Sequence, residues 1–211
     1  MKSLPNILTG ARLVLTLFVF LALIGLMPVS PVYRWVMVSA QEPAAVHQGF
    51  YFFAFWGFLV AAVTDFLDGW LARRFDATST LGAILDPIAD KVLVAGMVVG
   101  VAALGNWIVA LAGGLILFRE FSVSALRETL APRGLKLPVT TLAKWKTTLQ
   151  LVALAAELFV YGWRAWGLPE EPVLIGRAFL IAHGVLALAT VVTVWTGVEY
   201  ALSAREALKP R

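Results

Sequence analysis

Residues 65–90 read DFLDGWLARRFDATSTLGAILDPIAD. The stretch holds all five aspartates of the chain, Asp65, Asp68, Asp76, Asp86 and Asp90, between two long apolar runs. Asp65 and Asp68 lie three apart and Asp86 and Asp90 four apart, so on helices each pair shares one face. Two helices joined by the polar residues 74–80 would turn four carboxylates toward one point. Asp76, inside that connection, reads as a loop or cap residue.

The flanking sequence makes the setting a bilayer. Of 211 residues, 60% are hydrophobic and 14% charged, and the mean hydropathy is +0.84, too apolar for a water-facing surface. A spanning helix needs roughly 20 apolar residues, which leaves room for six spans and no large soluble domain. Charge-free stretches and local breakers place them at 7–27, 49–71, 82–104, 107–130, 142–166 and 174–203. The expectation is an all-α integral membrane protein with six transmembrane helices, one polytopic domain over residues 1–211. The break between the third and fourth spans rests on Gly105-Asn106, and the parity of the topology depends on it. The first apolar run is read as a span, not as a cleaved leader.

Alternating the loops puts Arg34, Arg164 and Arg177 on one side and the other fourteen of the 17 Lys and Arg on or near the opposite one. That side is expected to be cytoplasmic, with both termini on it. The cations therefore follow topology and lipid headgroups, and no nucleic-acid partner is expected. The eight tryptophans are expected mainly as interfacial anchors. With no cysteine, disulfides, thiol nucleophiles and thiolate metal sites are excluded.

From Gly49 to Asp65 a helix rises about 24 Å, which sets the acids near the inner edge of the hydrocarbon. Ionised carboxylates are costly there and raise one another's pKa, so they need cations. Oxygen-only donors favour Mg²⁺ or Mn²⁺, and less so Ca²⁺, over Zn²⁺, and four carboxylates can hold two ions. Gly69 and Gly82 leave space for a ligand, and Arg73 and Arg74 stand ready to meet phosphate. The plainer alternative is a set of helix-end acids solvated by headgroups and paired with Arg73, Arg74 and Lys91.

The spacing Asp65-x-x-Asp68-Gly69-x-x-Ala72-Arg73, eight residues to Gly82, three to Asp86 and three to Asp90 resembles, at all eight fixed positions, the signature of the CDP-alcohol phosphatidyltransferase family. The resemblance implies that family's six-helix membrane fold, usually dimeric, and transfer of a phosphatidyl group from a CDP-linked lipid to an alcohol with release of CMP. It implies metal binding by Asp65, Asp68, Asp86 and Asp90, with Asp90 also the base for the acceptor hydroxyl. It places Gly69, Ala72, Arg73 and Gly82 around the CDP-lipid.

Weaker likenesses point to the branch that uses CDP-diacylglycerol and glycerol 3-phosphate: Leu4-Pro5-Asn6-Ile7-Leu8-Thr9-x-x-Arg12, Phe118-Arg119-Glu120 with Ser124 to Arg127, and Ala143-Lys144-Trp145-Lys146-Thr147 with Gln150. On that branch the location is the bacterial inner membrane, with the site on the cytoplasmic side. Charge agrees, because Arg119, Arg127, Arg133, Lys136, Lys144 and Lys146 gather at the inner ends of the fourth and fifth spans. An acceptor bearing its own phosphate needs such donors. Arg119, Lys144 and Lys146 are the acceptor-phosphate candidates. Arg133 and Lys136 fit a positive collar better. Asn6, Thr9 and Arg12 recur at three-residue spacing as candidate substrate contacts, although Asn6 or Thr9 would serve equally as a helix cap. His183 and Glu199 read as bundle and helix-end residues. Phosphatidylglycerol or an inositol phosphate as acceptor, and a divalent-cation transporter using the acids as a translocation site, are the alternatives.

Overall fold

In the computed structural model, the described residues are 4–25, 43–74, 80–133 and 141–208. They form six long helices: α1 (Leu4–Gly25), α2 (Pro43–Arg74), α3 (Thr80–Ala102), α4 (Trp107–Leu130), α5 (Thr141–Tyr161) and α6 (Pro172–Ala207). Short 3-10 turns follow α4 (Ala131–Arg133) and α5 (Trp163–Trp166). The helices at Ile7–Ile24, Trp107–Leu130 and Pro172–Ala207 are long and apolar enough to cross a membrane. Their lipid-facing character is visible in exposed large apolar side chains such as Phe18, Leu111, Phe118, Leu180 and Val191. In water such a surface would drive aggregation; in a bilayer it is solvated.

The expected break between the third and fourth helices is real and has a local cause. Gly105 adopts φ +94°, a left-handed conformation that costs glycine nothing. Asn106 then caps α4, its Oδ1 accepting from the backbone N–H groups of Ile108 at 2.9 Å and Val109 at 3.4 Å. Two ends differ from expectation. α2 begins at Pro43, inside the expected outer connection, and α5 stops at Tyr161 before the Trp163–Trp166 turn. Trp163 is also buried, donating to the Pro169 carbonyl at 3.0 Å, where an interfacial anchor was expected.

α1 packs against both α2 and α3, while α6 packs against α4 and α5. The buried face of α1 carries Thr9, Arg12, Thr16, Val19 and Leu23, alternating steps of three and four that mark one helical stripe. Two glycines let α1 approach closely. A Cβ on Gly57 of α2 would lie 2.7 Å from a Val19 methyl, and one on Gly100 of α3 would lie 2.6 Å from a Leu23 methyl. Small residues at such crossings substitute tight contact for the hydrophobic drive that lipid removes. Phe58, Leu93, Met97, Ile116, Leu154 and Leu186 fill the centre of the bundle.

Candidate active site

The α1 stripe delivers a buried cation to the acids. Arg12 Nη1 forms an ion pair with Oδ1 of Asp65 on α2, and it lies 3.4 Å from Oδ1 of Asp90 on α3. Two carboxylates from two different helices thus converge on one nitrogen. The Arg12 side chain has no exposed surface, whereas the Asp65 and Asp90 side chains are 32% and 53% exposed. The cation therefore lies on the inner side of the pair and the carboxylates open outward. α2 carries Asp68, Gly69, Ala72 and Arg73 beyond Asp65, and α3 carries Gly82 and Asp86 ahead of Asp90, but the side chains of Asp68, Ala72, Arg73 and Asp86 are outside the described residues, as are those of Asn6 and Lys144. Thr9 is buried on the same face of α1 as Arg12.

Asp90 also borders a cavity of about 460 Å³ whose wall includes Lys91, Glu120, Ser124, Arg127 and Gln150. The cavity joins the acidic centre to the basic ends of α4 and α5. Glu120 organises its wall: Oε1 accepts from Lys146 Nζ, from Arg119 Nη1 at 3.3 Å and from Gln150 Nε2 at 3.3 Å. Gln150 donates in turn to Thr193 Oγ1 at 2.7 Å.

Arg119 is placed differently from its expected position in the pocket. It is buried against α6, donating to Thr196 Oγ1 at 3.1 Å, with its guanidinium carbon 5.4 Å from the centre of the Tyr200 ring. Gly197 makes room for it, since a Cβ there would lie 2.7 Å from Arg119 Cγ. Arg127 lines the cavity itself and is oriented by Tyr200, whose hydroxyl accepts from Nη2 at 2.6 Å. From the sequence Arg127 is one of the cations gathered at the helix ends, with no role of its own. Its step of seven from Glu120, two helical turns along one face, was the available signal. For Glu120 and Gln150 the signal is a carboxylate and an amide in apolar helices flanked by cations, the mark of a network.

Such a centre can do a limited set of things. Oxygen donors on two helices that already converge on a cation, with their outer side open, suit a hard divalent ion. Among the described residues no group of three or more acids or histidines is assembled around one point, because only Asp65 and Asp90 of the four candidate ligands have described side chains. The adjoining polar cavity has the size of a small-molecule site. His183 stands apart from it, between Asn106 and Glu157, and Glu199 accepts from Trp195 Nε1 at 2.9 Å within its own helix.

The family model for CDP-alcohol phosphatidyltransferase matches residues 2–195. The chain is 43% identical over 156 residues to a Cereibacter sphaeroides protein named CDP-diacylglycerol--glycerol-3-phosphate 3-phosphatidyltransferase, a match covering 72% of this chain and 62% of that relative. Proteins of the same name from Shigella flexneri and Escherichia coli K12 are 40% identical over 151 residues, covering 70% of this chain and 76% of each relative.

Proposed function

The chain belongs to the CDP-alcohol phosphatidyltransferase family, and from that premise we propose that it transfers the phosphatidyl group of CDP-diacylglycerol to sn-glycerol 3-phosphate, forming phosphatidylglycerol phosphate and CMP. The observation that carries the reading is the meeting of two unlike surfaces in one cavity: Asp90 of the acidic centre and Arg127 of the basic helix ends. The names of the relatives supply the substrates. Family membership favours transfer over ion translocation, and Asp65 and Asp90 meet at one point instead of being spread along a path.

The enzyme is a membrane protein. We take all six helices as spans with both termini cytoplasmic, in the bacterial inner membrane, and the active form as a homodimer with the site on the cytoplasmic face. The lipid chains then remain in the bilayer while the CDP head reaches the acids at the membrane surface.

Asp65, Asp68, Asp86 and Asp90 would hold Mg²⁺ or Mn²⁺, two ions in this reading, and Asp65 and Asp90 fit that role as convergent, outward-open oxygen donors. Bound there, the ions supply charge neutralisation for the diphosphate and the departing CMP. Asp90 takes the proton from the acceptor hydroxyl, for which its open position on the cavity wall is suited. Gly69, Ala72, Arg73 and Gly82 bound the CDP-lipid, and Asn6 and Thr9 approach from α1. Lys144 and Lys146 serve the acceptor phosphate, joined by Arg127, while Arg119, buried against α6, braces Glu120 from behind. Glu120, on the cavity wall, pairs with both Arg119 and Lys146, which keeps their charges in place without leaving them unpaired in an apolar bundle. Positioning and charge stabilisation are most of what such a transfer asks of a protein.

The test is CMP release by purified protein in detergent with CDP-diacylglycerol and Mg²⁺, comparing glycerol 3-phosphate, phosphatidylglycerol, inositol phosphate and serine. Glycerol 3-phosphate is expected to stimulate release most. A preference for another acceptor would keep the chemistry and reassign the basic residues.

A further inference from the structure

Resting on the metal reading above, we propose that Arg12 is the positioning residue of the acidic centre, a clamp that holds Asp65 and Asp90 in the register in which a divalent cation binds their open side. The sequence offered it as a substrate contact. Its geometry points elsewhere: one guanidinium nitrogen serves Oδ1 of both carboxylates, and the two carboxylates belong to separate helices. Without that cation, two anions at a membrane boundary repel and move apart. Their separation removes a ligand. The contact engages Oδ1 of each carboxylate while the side chains stay partly exposed on the opposite side, the arrangement of partners that stand behind metal ligands.

A cation that merely filled an empty metal site would sit on the open side and leave as the metal entered. Arg12 sits on the opposite side, with no exposed side-chain surface, and its helix is locked in place. Thr16 Oγ1 donates to the Arg12 carbonyl at 2.8 Å. Val19 and Leu23 sit against Gly57 and Gly100 of the same two helices that carry Asp65 and Asp90. Those close crossings fix how far α1 stands from α2 and α3, and hence the reach of the guanidinium. Arginine suits the task better than lysine because its planar fork offers several donors in fixed directions.

The experiment is Mn²⁺ binding to the purified full chain in detergent without any substrate, following the free ion by electron paramagnetic resonance. Arg12→Gln is expected to weaken Mn²⁺ affinity by about tenfold or more, the usual range for loss of such a partner. Arg12→Lys is expected to recover part of the loss. Arg12→Gln protein with wild-type Mn²⁺ affinity would overturn the proposal and return Arg12 to packing or substrate contact. Tighter binding would overturn it too, since that is the mark of a competing cation. Should Arg12→Gln fail to fold, Arg12→Lys decides alone: weaker binding than wild type supports the clamp and equal affinity overturns it. Wild-type protein that binds no Mn²⁺ refutes the metal reading itself, and the clamp with it, so the two failures are distinct.

Discussion

α3 carries one polar cluster at its middle and another just past its C-terminal end, and the two are built to opposite purposes. At the middle Asp90 meets Arg12 and Asp65 and opens onto a cavity. About 18 Å of helix away, past the C-terminal end, Asn106 donates from Nδ2 to His183 Nε2 at 3.0 Å, and His183 Nδ1 lies 2.8 Å from Glu157 Oε1. Because Asn106 Oδ1 is committed to the α4 backbone, its amide nitrogen must donate, so His183 Nε2 accepts and Nδ1 carries the hydrogen donated to Glu157. Glu157 is fully buried, and the Phe179 ring lies 5.7 Å from that of His183. Nearby, Phe159 and Trp166 stack at 5.1 Å. Both clusters gather polar groups from three elements around one buried charged residue, Arg12 in one and Glu157 in the other. One is sealed by its own partners and by aromatic rings, and the other leaves its carboxylates half open. Openness, more than polarity, separates a site from a lock.

The largest effect expected from breaking this contrast is at the open cluster. Asp90→Asn should lower turnover by at least about a hundredfold, as loss of a general base does, with CDP-lipid binding and thermal unfolding in detergent little changed. A loss confined to lipid affinity would contradict the base role. Asp65→Asn should remove metal-stimulated turnover, and full activity with normal metal dependence would strip Asp65 of its assignment. Arg127→Gln should raise the apparent KM for glycerol 3-phosphate by about tenfold, the worth of one charge-assisted hydrogen bond, and affect the lipid donor less. Equal effects on both substrates would indicate general damage.

The closed cluster should respond in stability instead. His183→Leu strands Asn106 and Glu157 and should cost about 1–3 kcal/mol of stability, read as a lowered unfolding temperature, while turnover per folded molecule stays near wild type. The smallest effect is at the turn: Gly105→Ala forces a side chain into the left-handed region and should cost about 1–2 kcal/mol. An unchanged unfolding temperature would mean the turn relaxes to another conformation.

Much of this was legible in the sequence because membrane helices obey simple lengths. Apolar runs of about 20 residues located the six long helices among the described residues, and Gly105-Asn106 located the hardest break. Helix ends were less legible: α2 continues through residues 43–48 beyond its most apolar part, and α5 yields to a turn whose tryptophans pack inward. The aspartates announced themselves by charge in an apolar setting, and their spacing alone put them on shared faces. What pairs with them was hidden, since Arg12 reaches Asp65 and Asp90 across two helix crossings set by Gly57 and Gly100. The same holds for Arg119: its neighbour Glu120 was visible in the sequence, but Thr196 and Tyr200 lie more than seventy residues away and come to it only through the α4–α6 packing. Depth along a helix can be counted; direction around it needs the partner.

The most direct measurement is CMP release from CDP-diacylglycerol and glycerol 3-phosphate by the purified protein after treatment with a chelator, followed by addition of Mg²⁺ or Mn²⁺. The account predicts negligible release after chelation, full recovery with either ion, and no recovery in Asp90→Asn. Release that persists at its original rate in the chelated protein would contradict it.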